Sequence, residues 1–408
     1  MNVKNLLSAA LGIMISTSAL AQTDSTAKAA EKKPEEKKSH WFDKIDFGGY
    51  TQVRYSRLLE TNKNLKMEQG DKSVGDGGSL LIRRARWKFS GQVHEKVYFY
   101  IQADLANSVT TSSGTVGGFF QLRDAYFDLG LDKKNQLWLR SGLQKIPFGF
   151  DNLQSSQNRI SLDRSDALNS ALWNERDLGT ILYYSPEKIK KVYKSLVKDG
   201  LKGSGDYGVL GFGIYTGQTM NRADLNPYFH YVARAAYPFV LKNNQIFEAG
   251  IQAYSGIYTL ESVNTTKTSD REFIDQRAGI TAVLYPKPFG IQAEYIVGNG
   301  PCFDPATKTI TVQPLQGGYV LATFKKDIAK QTIIPFVRYQ YYQGGKKHEL
   351  DARKYMVHET EFGVEWQPYK NFELTVAYNM SDRIFEDSKK PVNQQVGNLL
   401  RIQLQVNY

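Results

Sequence analysis

Residues 82–93, IRRARWKFSGQV, divide by parity. Ala85, Trp87, Phe89, Gly91 and Val93 fall on one side, and Arg84, Arg86, Lys88, Ser90 and Gln92 on the other. A strand turns successive side chains to opposite faces, so this stretch has one apolar face and one strongly cationic face. A soluble sheet would leave the cationic face in solvent. A membrane barrel would turn it toward a water-filled lumen and the apolar face toward lipid. Repetition decides between them. About sixteen alternating segments follow one another from Phe47 to Tyr408, among them Val97, Phe99, Ile101 and Ala103 against Tyr98, Tyr100, Gln102 and Asp104. The last sets Leu400, Ile402, Leu404 and Val406 against Arg401, Gln403, Gln405 and Asn407.

The connections carry an independent signal. From the first strand onward every second connection is short, near 91–96, 130–136, 238–245, 286–288, 326–330 and 367–371. The others are longer, near 58–80, 106–119, 148–177, 218–228, 259–272, 299–316, 343–355 and 382–397. A soluble sandwich has no reason to sort its loops by parity, whereas outer-membrane barrels pair short periplasmic turns with long extracellular loops. The expected fold is therefore all-β: a transmembrane antiparallel β-barrel of about 16 strands over residues 46–408. One connection breaks the rule. Residues 186–206 should be a short turn, yet they carry six lysines, and Ile189, Val192, Tyr193, Leu196 and Val197 recur at helical spacing. A small amphipathic helix is expected there, either a solvated basic helix or a cationic lip that draws anions through.

Composition agrees with a barrel. Aromatic residues make up 12% of the chain, with 25 Tyr and 21 Phe, and these suit strands and membrane interfaces. Beyond the N-terminus no run approaches the roughly 18 apolar residues of a spanning helix. Residues 1–21 have Lys4 in a positive head, an apolar core and an Ala19-Leu20-Ala21 ending, the pattern of a cleaved signal peptide. Residues 22–45 read as a polar periplasmic tail, and 22–40 have almost none of the apolar side chains that would order them. Export to the outer membrane of a Gram-negative bacterium follows. It also excludes nucleic acid as the partner implied by the net charge of +11, which leaves small anions.

The longest connection, 148–177, is the third long loop. It carries Arg159, Arg164 and Arg176 beside Asp151, Asp163, Asp166, Glu175 and Asp177. Local Arg–Asp pairing could hold the loop in shape. Alternatively its arginines face Arg84, Arg86, Lys88 and Arg140 across the lumen, and rings of Arg and Lys select anions. Arg suits phosphate because its planar fork donates two hydrogen bonds at once. Asp104, Asp128, Glu248, Glu294, Glu359, Glu361 and Glu373 also face inward on this reading, so selectivity is expected from a local zone.

Residues 80–106 (LLIRRARWKFSGQVHEKVYFYIQADLA) and 121–156 resemble the phosphate-selective porins O and P. The likeness rests on the paired arginines before an alternating strand and on Lys145-Ile146-Pro147-Phe148-Gly149, and it extends over most of the chain after the tail. It implies a sixteen-stranded barrel, a homotrimer and an inward third loop with basic residues. Arg83, Arg84, Arg86 and Lys145 match the family's pattern.

The expected function is a water-filled, anion-preferring channel for passive uptake of phosphate or other small anions, with outer-membrane lipid around it. The candidate anion-binding residues are Arg84, Arg86, Lys88, Arg140, Lys145, Arg159, Arg164 and Arg176. A weakly selective diffusion porin whose lumen tyrosines favour sugars or other polar solutes is the alternative. A barrel enzyme and an envelope anchor rank behind both. His40, His94, His230, His348 and His358 show no catalytic spacing, and no GxSxG or HExxH motif occurs. No cofactor and no metal site are expected, and the single cysteine, Cys302, falls in an expected loop with no partner.

Overall fold

The computed structural model describes residues 44–58, 79–106, 120–265, 267, 270–389 and 393–408. The expected signal peptide and most of the tail lie outside these residues. Seventeen strands are described. The first five are β1 (Ile45–Leu58), β2 (Ser79–His94), β3 (Val97–Asp104), β4 (Gln121–Gly130) and β5 (Leu137–Lys145). After the third long loop come β6 (Arg176–Tyr184), β7 (Leu210–Tyr215), β8 (His230–Val240), β9 (Ile246–Thr259) and β10 (Glu272–Leu284). The last seven are β11 (Phe289–Asp304), β12 (Thr309–Phe324), β13 (Lys326–Ile328), β14 (Gln331–Gly345), β15 (Lys354–Tyr369), β16 (Phe372–Glu386) and β17 (Asn393–Asn407).

Each strand pairs antiparallel with its neighbours, and β1 pairs with β17 from Tyr50↔Asn407 to Leu58↔Leu399. The sheet is a closed barrel of sixteen strands, with β13 a three-residue extra strand on β14. Closure removes every free edge, which is how strands can cross a membrane with all backbone groups paired. Among the described residues no helix is long and apolar enough to span.

The parity of side chains holds. Trp87, Phe89, Ile101, Phe127, Ile251, Ile280 and Val320 are exposed on the outer face, while Arg84, Arg86, Gln102 and Asp104 are buried inside. Phe239, Phe289, Phe324, Trp366 and Tyr369 stand outward beside the short turns, where aromatic rings suit a membrane–water interface. One expected long loop is instead strand. β11 and β12 continue in register from Asn299↔Pro314 to Asp304↔Thr309, and Cys302 lies within β11, buried. Gly298, Gly300, Pro301 and Pro314 disguise this hairpin in the sequence, yet backbone pairing carries straight through them.

Residues 146–175, the third long loop, hold two short helices, α1 (Phe150–Leu153) and α2 (Asp166–Ala171). The anomalous connection after β6 does form an amphipathic helix, α3 (Glu187–Lys198). Its Ile189, Tyr193 and Leu196 pack with Phe150 of α1 and with Val283 and Tyr285 of the wall, while Lys188, Lys191, Lys194 and Lys198 remain exposed. An aspartate at position 196 would bury a carboxylate in that cluster, at a cost of about 2–4 kcal/mol. Leu196→Asp should therefore speed tryptic cleavage at the helix lysines about tenfold or more while the barrel keeps its heat-modifiable migration on gels. Unchanged protease resistance would contradict this packing.

Candidate functional site: the inward third loop and the arginine zone

Gly149, at φ 82°, turns the chain inward after β5, a left-handed conformation that glycine adopts without steric cost. The loop then carries its own apolar face into the lumen. Ile146, Phe148, Leu168 and Leu172 join Tyr183, Tyr254, Ile296, Leu315 and Tyr342 of the wall. Ile160 and Leu162 join Tyr319, Ile334 and Phe336. A loop that buries this much apolar surface is a fixed partition rather than a floating segment.

Polar contacts fix its edges on every side. Asp163 accepts from Arg54 of β1 at 3.2 Å and from Arg401 of β17 at 2.7 Å, and Arg83 of β2 approaches to 3.8 Å. Arg338 of β14 donates to the Ser161 hydroxyl and to the Asp163 carbonyl, both at 2.7 Å. Ser156 meets the Tyr50 hydroxyl at 2.5 Å and accepts from Arg86 at 3.1 Å. On the far side Asp166 accepts from Arg383 at 2.9 Å and from Lys346 at 2.7 Å, and Arg277 donates to the Ser170 hydroxyl at 2.6 Å. Burial pushes the Asp163 carboxyl up, but Arg54, Arg401, Arg83 and Arg84 outweigh it and hold the group well below the usual carboxylate range.

Cations outnumber carboxylates where the loop faces β1–β4. Asp163 serves three arginines, and Glu175 is shared by Lys145, Arg159, Arg164 and Arg176. Two β-bulges add to this excess. In β2, Gln52 pairs with Arg84 and Val53 with Ile82, so Arg83 is an inserted residue and both arginines point inward. In β4, Gln102 pairs with Asp124 and Ala103 with Leu122, so Arg123 is inserted and joins Asp124 in the lumen. A bulge re-aims one side chain against the strand's alternation. Arg84 donates to the Gln52 side chain at 2.8 Å, and Arg123 to the Asn174 carbonyl at 3.3 Å. Among the described residues neither comes within 4 Å of a carboxylate, and the Nε of each is buried without a partner.

A family model for phosphate-selective porin O and P matches residues 63–408. The chain belongs to the phosphate-selective porin O and P family. A search of curated proteins finds no match. Among solved structures this porin resembles the outer-membrane channel DcaP of Acinetobacter baumannii, with 13% identity and a TM-score of 0.56, over 89% of this chain and 97% of that one. It also resembles the trimer form of OmpT from Vibrio cholerae, with 11% identity and a TM-score of 0.52 over 89% and 99% of the two chains. An anion-selective porin from Comamonas acidovorans follows, with 11% identity and a TM-score of 0.50 over 89% and 99%. At these identities the likeness shows the fold. Family and fold together make the molecule an outer-membrane channel.

The porin's expected site residues separate into groups. Arg84, Arg86 and Arg176 come together in the zone: Arg86 pairs with Asp104 at 2.8 Å and Arg176 with Asp124 at 2.9 Å. Lys145 gives its ammonium to the carbonyls of Asn152, Leu153 and Gln154 at 2.8–3.2 Å, holding the end of α1. Arg159 pairs with Asp151 at 3.0 Å and Arg164 with Glu175 at 3.2 Å, both inside the loop. Arg140 lies apart, bound to Asp128 through two bonds of 2.6 and 2.8 Å and stacked on Tyr126. Lys88 lies one inward step from Arg86 toward the short turns and is partly exposed. Arg54, Arg401 and Arg338 were legible as inward positions of their strands. Arg123 was not, because parity without the bulge assigns it outward.

The open side of the lumen follows from exposure. Inward residues of β9–β15 such as Glu248, Asp275, Glu294 and Glu361 are at most 3% exposed, covered by the loop and α3. Inward residues Lys88, Gln92, Tyr98, Tyr100, Tyr126 and Asp128 of β2–β4 stay partly exposed. Partly exposed inward side chains thus cluster on β2–β4, the side of the lumen read below as carrying solute. Removing one partner of a buried ionic set costs about 3–5 kcal/mol, so Asp163→Asn should loosen the loop and add flicker to the open single-channel current at pH 7. The native channel should stay quiet at pH 5. A carboxyl with a depressed pKa keeps its contribution above its unfolded value and loses it only as pH falls through the folded one. A native channel as noisy at pH 5 as the variant at pH 7 would contradict this anchorage.

Proposed function

We propose that this porin is an anion-preferring channel for passive uptake of phosphate or other small anions. The observation that carries the reading is the pair Arg84 and Arg123, buried in the lumen with no carboxylate within 4 Å among the described residues. A buried charge without a counter-ion is costly, and a passing anion relieves that cost while losing part of its own hydration. Guanidinium forks match phosphate oxygens two at a time, and fixed donors in a narrow, partly desolvated zone replace the lost water. The neighbouring cations Arg83, Arg86 and Arg176 raise the local anion concentration. The anion-selective porin of Comamonas acidovorans, similar in fold, supports the class of channel.

Residues 1–21 act in this reading as an export signal and 22–45 as a periplasmic tail. The apolar outer face meets outer-membrane lipid and other copies of the chain. A homotrimer is the proposed assembly, supported by the trimer form of the similar Vibrio cholerae barrel.

The test is the reversal potential of the purified channel in a planar bilayer under a KCl gradient, followed by titration with inorganic phosphate. Native protein should prefer anions and lose chloride current as phosphate rises. Arg84→Ala with Arg123→Ala should weaken phosphate block by about tenfold, equivalent to about 1.4 kcal/mol. Cation preference of the native channel would overturn the proposal.

A further inference from the structure

Below the arginine zone the open wall changes chemistry. Tyr100 of β3 and Tyr126 of β4 are cross-strand neighbours, and their rings stack with centroids 5.2 Å apart and planes 13° from parallel. The Arg140 guanidinium lies 4.1 Å from the Tyr126 ring centroid and 5.5 Å from those of Tyr183 and Tyr207. These residues form an aromatic belt around one arc of the lumen at a single level, with Tyr98 a step nearer the short turns. Asp128 neutralises Arg140, so the belt presents aromatic rings and hydroxyls rather than net charge. Tyr183 is braced from behind by Trp138 at 5.4 Å, and Lys190 of α3 lies over Trp138 at 3.9 Å.

Packing alone does not account for the belt's front. Tyr98, Tyr100, Tyr126 and Tyr207 are all partly exposed. Among the described residues the Tyr126 hydroxyl has no hydrogen-bond partner, and its atom is not sealed from water. Partly exposed aromatic rings fixed in a channel lumen are binding surfaces for flat or ring-shaped apolar faces. The belt is also coupled to the charged zone through one side chain. Gln102 donates to the Tyr100 hydroxyl at 3.1 Å and accepts from Arg176 at 3.4 Å. Gln102 and Tyr100 are two residues apart on one strand, a rise of about 7 Å. That is roughly the span from an anionic group to the far side of a six-membered ring attached to it.

We propose that the belt of Tyr98, Tyr100, Tyr126 and Tyr207 is a second subsite of the channel, taking the ring of an organic anion whose charged group is held by Arg86, Arg123 and Arg176. The ligand class is a six-membered ring bearing a phosphate group, either a sugar phosphate or an aryl phosphate. This rests on the anion reading above and narrows it from inorganic ions to ring-bearing ones.

The experiment compares four phosphates as blockers of single-channel chloride current in the purified native protein: inorganic phosphate, glycerol phosphate, glucose 6-phosphate and phenyl phosphate. Glycerol phosphate matches the ring compounds in charge but has no ring. At least one ring compound should dwell about tenfold longer than glycerol phosphate, and which one does so identifies a sugar or an aryl ring as the preferred face. Tyr100→Ala with Tyr126→Ala should equalise the three organic phosphates. Tyr100→Phe with Tyr126→Phe should retain the ring effect. Equal dwell times for glycerol phosphate and both ring compounds on the native channel would overturn the subsite, even if phosphate block and anion preference persist. Cation preference without block by any phosphate would overturn the anion reading and the subsite together. The native comparison stands alone should the alanine variant fail to fold.

Discussion

One constraint organises the molecule: carboxylates of the third loop are shared among more wall cations than they can neutralise. Asp163 spans β1, β2 and β17 through Arg54, Arg83 and Arg401, while Asp166 reaches Arg383 of β16 and Lys346 beyond β14. A sixteen-stranded barrel leaves a wide lumen, and these ion pairs turn it into a partitioned one. They tie the loop's edges to the wall, and apolar packing of Ile146, Phe148, Ile160 and Leu168 fills the space between. The same sharing leaves net positive charge on the open side. On the proposed reading, anchorage and anion preference draw on one arrangement of charges.

The anomalous connection extends that partition. α3 lays its apolar face on Phe150 of the loop. The segment after it brings Lys202 to Glu365 at 2.6 Å and Glu373 at 3.2 Å, and Gln154 donates to the Lys202 carbonyl at 2.6 Å. The third loop is therefore held from the short-turn side as well as from the wall. Its lysines divide in role: Lys202 is an internal tie and Lys190 braces the aromatic belt, while the exposed helix lysines form a cationic rim.

Much of this was legible in the sequence because barrel strands have a period of two and loops sort by parity. Strand number, inward faces and the third loop follow from those two regularities, and the helix in 186–206 from the helical spacing of its apolar residues. Where the period breaks, the reading breaks with it. The bulges at Arg83 and Arg123 shift one residue across the wall, so Arg123, central to the site, carries no alternation signal. The hairpin 299–316 was hidden by glycine and proline within paired backbone. Role was harder to read than place. Lys145, Arg159, Arg164 and Arg140 are cations at foreseen positions, yet each is occupied by carbonyls or carboxylates that only the fold brings near.

The central claim is that solutes travel along β2–β4, past Arg84 and Arg123, which have no carboxylate within 4 Å among the described residues, while the opposite wall is sealed. Cysteine accessibility tests it most directly, because the native Cys302 is buried. Single cysteines at Lys88 and at Gln340, which is 3% exposed behind the loop, would be treated with a small anionic thiol reagent during current recording. The account predicts rapid current loss from Lys88→Cys and none from Gln340→Cys. Rapid modification at position 340 with silence at position 88 would place the path on the other wall and contradict it.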